Sequence, residues 1–383
     1  MFGAAIACFL TERKIGRVVL LERTSVAAGA TGWSSGIIRV HYTNPYESRL
    51  ALVSLEMFRN WAEAIGGSCG YKRTGFLRIV GIEDRGKLRQ NIMMLRKLGA
   101  NVEFLEPEEL RRLQPFISIE NVGGAAYEPD GGYGSGAETA QALVERAIAR
   151  GAILRQGVEV RDIMLADGRA VGVETNEGFL PTGSLVVATG AWSIGLLKRA
   201  GVELPIRTKL VRAGLLQHAE DLTGQQMTII DDSIGTYFRP ERESRSEFGL
   251  RYEWDVDPDN IVHSVRLPYV ADGAEHLVQR VPAFYRAGLI KGWAAPDGYS
   301  ADGTPILGRA PGIENLFLAV AAGGTGFKIA PAVGLSMAEL IAHGESVTID
   351  ITPFRATRFA EGEPISSSTD YTRPAWRDQP LTV

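Results

Sequence analysis

The chain has 383 residues, 45% hydrophobic and 22% charged, with a net charge of −4. That length holds two domains or one with an elaborate insertion, and the charge gives no attraction for nucleic acid or an anionic membrane. Two cysteines, Cys8 and Cys69, are too few for a disulfide framework or a structural zinc site, so no metal is expected and a reducing, cytoplasmic setting is.

No apolar run reaches the roughly 20 residues of a spanning helix. The N-terminal run, with Thr11-Glu12-Arg13-Lys14 behind it and no basic region in front, does not read as a signal peptide. It reads as a small-residue helix over about 3–14, followed by a turn at Gly16 and a strand over 17–21 that ends at Glu22. The continuous apolar run 18–21 predicts a parallel strand covered on both faces. A Gly/Ala/Ser/Thr loop over 25–36 leads to "NPYESRLALVSLEMFRNWAEAIG", a long helix starting at Asn44-Pro45.

Next come "GFLRIVG" as a strand, "EDRGKLRQNIMMLRKLG" as an amphipathic helix and "PEELRRL" as a short one. A helix in "GAETAQALVERAIARGA" precedes short strands with turns at Asp167-Gly168 and Asn176-Glu177-Gly178, ending in "SLVVATGAW". Residues 207–292 read as β-rich, with one helix in "AEHLVQRVPAFY". The stretch "ENLFLAVAAGGTGFKIAPAVGLSMAELIAHG" returns to strand, glycine-rich turn and helix, and the Pro/Ser/Thr-rich tail after Asp350 is expected to wrap the surface. The pattern is two interleaved domains.

Four motifs carry chemistry. An acid at the end of the second strand of a dinucleotide-binding unit bonds ribose hydroxyls, and Glu22 follows Gly3 by 19 positions, with Gly3 as the third glycine of G-x-G-x-x-G; an ordinary helix and strand explain the same residues as well. In "VVATGAW", Gly190 and Ala191 let backbone approach a flat cofactor, although a plain strand-to-helix turn reads the same way. In "GGTGFKIAPAVG", Lys328 lies beside a helix N-terminus, a poor place for a cation without an anion to share. In "GATGWSSGIIRVHYTNP", Arg39 is suited to a carboxylate, and His41 is a candidate base whose alternative is a packed structural histidine.

Taken in order, these segments resemble the flavin-dependent amine and amino-acid oxidoreductases: sarcosine oxidase, glycine oxidase, D-amino-acid oxidase and the β-subunits of multimeric sarcosine and proline dehydrogenases. The resemblance covers nearly the whole chain. It rests on "RVVLLER", "IIRVHY", "LVVATGAWS", "YFRPE", "SADGTPILG", "NLFLAVAAGGTGFKIAPAVG" and "DITPFRATRFAEG", the last nearest to the sarcosine oxidase β-subunit branch.

The resemblance implies an α/β fold: a Rossmann-like FAD-binding domain lacking its first strand, formed by residues 1–75, 136–206 and 293–347. A β-rich (α+β) substrate-binding domain of 76–135 and 207–292 is interleaved with it, and 348–383 is a C-terminal tail. It implies that Gly3, Glu22, Arg23, Ser35, Gly36, Val160, Ala188, Gly190, Trp192, Gly324, Thr325, Gly326 and Lys328 line FAD, with Glu22 at the adenosine ribose and Val160 on the adenine side. Arg39 and Lys328 would grip a substrate carboxylate with Tyr42 beside them, and His41 would stand near the same ligand.

The implied reaction is oxidation of the C–N bond of an amino acid or N-alkyl amino acid by hydride transfer, giving an imine, with oxygen or another electron acceptor and a homo- or hetero-oligomer left open. The sarcosine oxidase cysteine that tethers flavin has no counterpart in "GWAAPDGYS", so the FAD is expected to be non-covalent, and the arginine that sarcosine oxidase carries three positions before the arginine of "IIR" is here Gly36. A hydroxy-acid or glycerol-phosphate dehydrogenase, and a non-catalytic subunit that has lost FAD, are the alternatives.

Overall fold

The computed structural model describes residues 1–218, 226–242 and 244–379; the expected tail beyond 379 and parts of the expected β-rich stretch lie outside them. Phe2–Glu12 is the first helix, shorter at its end than the expected 3–14. Its small residues permit close packing: Ala5 lies against Gly334 of the Gly326–His343 helix, where a methyl group on Gly334 would come within 2.6 Å of the Ala5 Cβ. Gly3 meets Leu20 and Ala188 at 3.5 and 3.6 Å by the same measure, so helix and strands are nearly in contact there.

The strand that follows spans Val19–Glu22 and pairs in parallel with Ile153–Gln156. It is not covered on both faces as its apolar run predicts, for Val19 is 40% exposed. A separate parallel pair joins Leu185–Val187 to Leu316–Val320, with Ile306–Arg309 antiparallel beyond it. Among the described residues, Val19–Glu22 and Leu185–Val187 each have one edge without a strand partner. Both border one groove of about 1140 Å³ floored by Gly3, Ala4 and Ala7. The Rossmann-like sheet is therefore present as two halves on either side of this groove.

The second layer is a nine-stranded sheet with Ile206–Gln217 at its heart, pairing antiparallel with Gly288–Ser300 over most of their length. The sheet continues through Arg245–Gly249, Thr236–Pro240, Thr228–Asp231 and Phe76–Gly81 to Val122–Glu128 and Glu103–Leu105. Period-two alternation sends Leu77 and Ile79 of Phe76–Gly81 into the core under this sheet and Val80 into the core shared with the first helix. One strand thus joins both halves. The helix expected from 274 begins earlier, at Leu267, where Pro268 occupies the first turn, and ends at Arg280 before a 3₁₀ turn.

The tail runs over the surface as expected, most of residues 360–379 being exposed, and it also borders the cavity between the two layers through Ile365, Tyr371, Arg373, Arg377 and Asp378. Buried partners hold it there. The Tyr371 hydroxyl bonds His41 Nε2 and accepts from Asn91 Nδ2, both at 2.7 Å, Arg373 pairs with Asp232 at 2.6 Å, and Trp376 stacks on His276 at 3.8 Å.

Candidate functional site

A cavity of about 1080 Å³ runs between the layers, at the upper end of the roughly 300–1000 Å³ of ligand pockets. It is lined by Glu22, Arg23, Ser35, Gly36, Arg39, His41, Tyr42, Ala188, Gly190, Trp192, Gly324, Thr325, Gly326 and Lys328. Gly3 and Val160 lie off it, on the neighbouring groove. Gly3 is used in helix packing, and Val160 belongs to a separate antiparallel sheet paired with Arg169–Thr175. The cysteines Cys8 and Cys69 are buried elsewhere.

At one reach of the cavity, the strand ending at Glu22 delivers a half-buried carboxylate that accepts from Thr24 N–H at 2.9 Å. Arg23 stacks over Trp192 at 4.7 Å, and both donate to Asp259 Oδ1 at 2.8 Å. Further along the cavity the wall is backbone and small side chains. Gly36 has φ +62°, and a Cβ on it would overlap the Gly134 carbonyl oxygen; Gly324 has φ +74°, and a Cβ would stand 2.8 Å from the Tyr299 hydroxyl. Both positions need glycine, for conformation and for space. An elongated, flat ligand with ribose hydroxyls at one end suits this lining.

The other reach is charged. Arg39 follows the Ile37–Ile38 strand, and its guanidinium lies 4.1 Å from the Tyr42 ring centre and donates to the His41 carbonyl. Lys328 stands in the first turn of the Gly326–His343 helix and donates to Gly324 O at 3.2 Å. They are 9% and 6% exposed, and among the described residues neither has an ion-pair partner. Burial pushes the Lys328 ammonium well below a lysine's ordinary pKa, with Arg39 adding repulsion. Two buried basic side chains face one cavity, and the nearby Glu47 carboxyl forms no ion pair with either among the described residues, so the place suits an anionic group.

His41 is fully buried. Burial, with Arg78 and Arg39 nearby, holds its pKa well below the usual histidine value, so the ring is neutral and serves the Tyr371 bond. Burial likewise raises the Tyr42 hydroxyl above its usual range.

Several cavity residues escaped the sequence reading. Glu47 sits in a segment read only as a helix start, although Asn44-x-x-Glu47 spacing marks a helix-capping pair whose glutamate faces back toward "IIRVHY". Lys209 is buried, with the Tyr252 and Trp254 rings at 3.9 and 4.1 Å, and is pushed down to about 8 by burial despite its 2.9 Å bond to Asp378. Asp378, Tyr371 and Arg373 come from the tail; the aromatic and basic residues of "DYTRPAW" were the available signal.

The chain is similar to several known proteins along nearly its whole length. Sarcosine oxidase subunit beta of Rhizobium meliloti is 27% identical, across 94% of this chain and 86% of that one. A protein of Bos taurus named FAD-dependent oxidoreductase domain-containing protein 1 is 28% identical, across 95% and 84%. Among solved structures, L-proline dehydrogenase from P. horikoshii superposes with a TM-score of 0.87 at 25% identity, covering 95% of this chain and 96% of that one. The family model described as FAD dependent oxidoreductase matches residues 1–340. A strand-end acid, a glycine-walled cavity and a sheet-rich second layer are thus found in a chain that belongs to the FAD-dependent oxidoreductase family.

Proposed function

We propose that this protein oxidises the C–N bond of a carboxylate-bearing amine, an amino acid or N-alkyl amino acid of the sarcosine, glycine or proline kind, with non-covalent FAD. The observation that carries the reading is the pair Arg39 and Lys328, buried in one cavity and neither ion-paired among the described residues. A substrate carboxylate supplies the missing negative charge through charge-assisted hydrogen bonds.

The residues present fit the cofactor. Glu22 takes the adenosine ribose, Gly36, Gly190 and Gly324 give the ring system room, and no cysteine lines the cavity for a tether. In the same reading residues 1–75, 136–206 and 293–347 form the cofactor half, and 76–135 with 207–292 the substrate half. When bound, FAD supplies the hydride acceptor.

The protein's own work is placement. Arg39 and Lys328 fix the carboxylate and with it the α-carbon, and the Tyr42 ring holds the Arg39 plane. The product is an imine, which water hydrolyses.

Anaerobic mixing of the purified holoenzyme with sarcosine, proline and glycerol 3-phosphate tests this. Bleaching of the flavin absorbance by one of the two amines supports the reading, and reduction by glycerol 3-phosphate alone overturns it.

A further inference from the structure

Glu47 stands in the first turn of the Pro45–Arg59 helix. Its N–H donates to Asn44 Oδ1, and Asn44 Nδ2 donates to Glu47 Oε2, each at 2.9 Å. That capping pair uses one carboxyl oxygen and works as well on a helix end open to water. It accounts neither for the burial of Glu47, 4% exposed, nor for Oε1, which is buried without a hydrogen-bond partner. An unpaired buried oxygen bears the full cost of its lost hydration. The carboxyl lines the cavity that Arg39 and Lys328 line, so a ligand bound there can supply the partner.

We propose that Glu47 accepts the proton of the substrate's ammonium on Oε1 while Arg39 and Lys328 hold the carboxylate, a role that rests on the amino-acid reading above. The N–H bond breaks, its electron pair stays on nitrogen as the lone pair that C–N oxidation requires, and an O–H bond forms at Oε1. Ammonium and carboxylate become amine and carboxylic acid, so atoms and charge balance.

The groups facing Glu47 are Arg39, Tyr42, Lys328 on the Gly326–His343 helix, and Asp302 on the loop before Ile306–Arg309. Burial raises the carboxyl to about 7, and the Asn44 bond and the two cations restrain the rise. An acceptor is most effective near the working pH. Burial and the nearby Arg78 and Arg39 hold the His41 pKa well below the usual histidine value, and its Nε2 is bonded to Tyr371.

The test uses the flavin-loaded protein, with Glu47→Gln and Glu47→Asp beside the wild type. Flavin reduction by sarcosine or proline is followed across pH, and propionate, a carboxylate without an amine, is titrated by calorimetry. Wild-type reduction is expected to fall on the acid side of about pH 7. Glu47→Gln should be slower by about a hundredfold at neutral pH, with its acid limb moved toward the substrate amine's own pKa.

Propionate should bind the wild type about tenfold more weakly above pH 7 than below it, because ionised Glu47 repels it, and this dependence should vanish in Glu47→Gln. Glu47→Asp keeps the acid limb at a reduced rate. If Glu47→Gln does not fold, the Glu47→Asp limb and the wild-type propionate profile decide alone.

A Glu47→Gln enzyme with the wild-type limb and rate, or a flat propionate profile in the wild type, overturns the Glu47 role. A variant whose propionate affinity at acid pH falls as far as its rate shows a structural role and also overturns it. If no carboxylate-bearing amine reduces the wild-type flavin, the amino-acid reading itself fails; reduction by the wild type with an indifferent Glu47→Gln removes the Glu47 role alone.

Discussion

The two reaches of the cavity settle their charges in opposite ways. Around Glu22 the protein neutralises itself: Glu22 accepts from Thr24, and Asp259 answers both Arg23 and Trp192. What faces the cavity there is Gly29, Gly190 and the mutually bonded Arg23, Trp192 and Asp259. Around Arg39 the charges are left loosely met, with Arg39 and Lys328 outside any ion pair among the described residues and a buried Glu47 oxygen without a partner. The first reach selects a ligand by shape and the second by charge. Substitutions that add volume should damage the first, and substitutions that remove charge should damage the second.

The largest expected effect falls on the shaped reach. Gly36→Ala forces a side chain into positive φ against the Gly134 carbonyl, and the strain and overpacking together should cost about 3–5 kcal/mol of unfolding free energy in a urea titration. A variant of wild-type stability would break the idea that backbone shapes this wall.

The next effect belongs to the charged reach and appears as pH dependence. Burial raises Glu47 from 4.5 to about 7, so between those values the folded state holds a proton that the unfolded chain has released. Its contribution is fully present below the unfolded value and is lost as pH rises through about 7, up to about 3 kcal/mol. In Glu47→Gln that share of the slope should disappear, while Glu128, likewise raised to about 7 by burial, keeps its own. Thermal unfolding across pH measures both.

Arg39→Met removes one charge-assisted bond to a bound carboxylate, about 1.5–3 kcal/mol or roughly ten- to hundredfold in the affinity for propionate, with flavin content unchanged. Loss of flavin together with propionate binding would mean that the two reaches are not separable. Tyr371→Phe strips the partner from His41 Nε2 and one of the partners of Asn91, which keeps Thr369, costs about 1–2 kcal/mol, and should expose the 365–378 segment to limited proteolysis.

The same contrast explains what could be read from the sequence. Continuous apolar runs and glycine-rich turns announced the shaped reach, because a strand end or a glycine turn is a local pattern. Glu22, Gly190 and Gly324 all line the cavity as that pattern suggested. Gly3 and Val160 border the adjoining groove, which shares Glu22, Arg23, Ala188 and Trp192 with the cavity. The half-exposed Val19 could not be foreseen either, since an apolar run shows that a strand wants covering and not whether a neighbour arrives. The charged reach was half legible. Arg39 and Lys328 stood out as cations in unlikely places and Glu47 carried only a local capping signal, but Lys209 and the tail residues reach the cavity through tertiary packing across long stretches of chain, as the His41–Tyr371 bond shows.

The smallest expected effect tests the contrast most finely. Glu22 is half-buried and already accepts from Thr24, so replacing it with Gln keeps an acceptor at the strand end and removes only the excess strength of a bond to a carboxylate. That excess is about 1 kcal/mol, and solvent reduces it further, so reconstitution of the apoprotein should show FAD affinity lowered by about fivefold or less. Propionate binding to the reconstituted protein should be unaffected. If Glu22→Gln instead cost more than Arg39→Met, the first reach would also be reading charge, and its self-neutralised arrangement would not be what governs binding there.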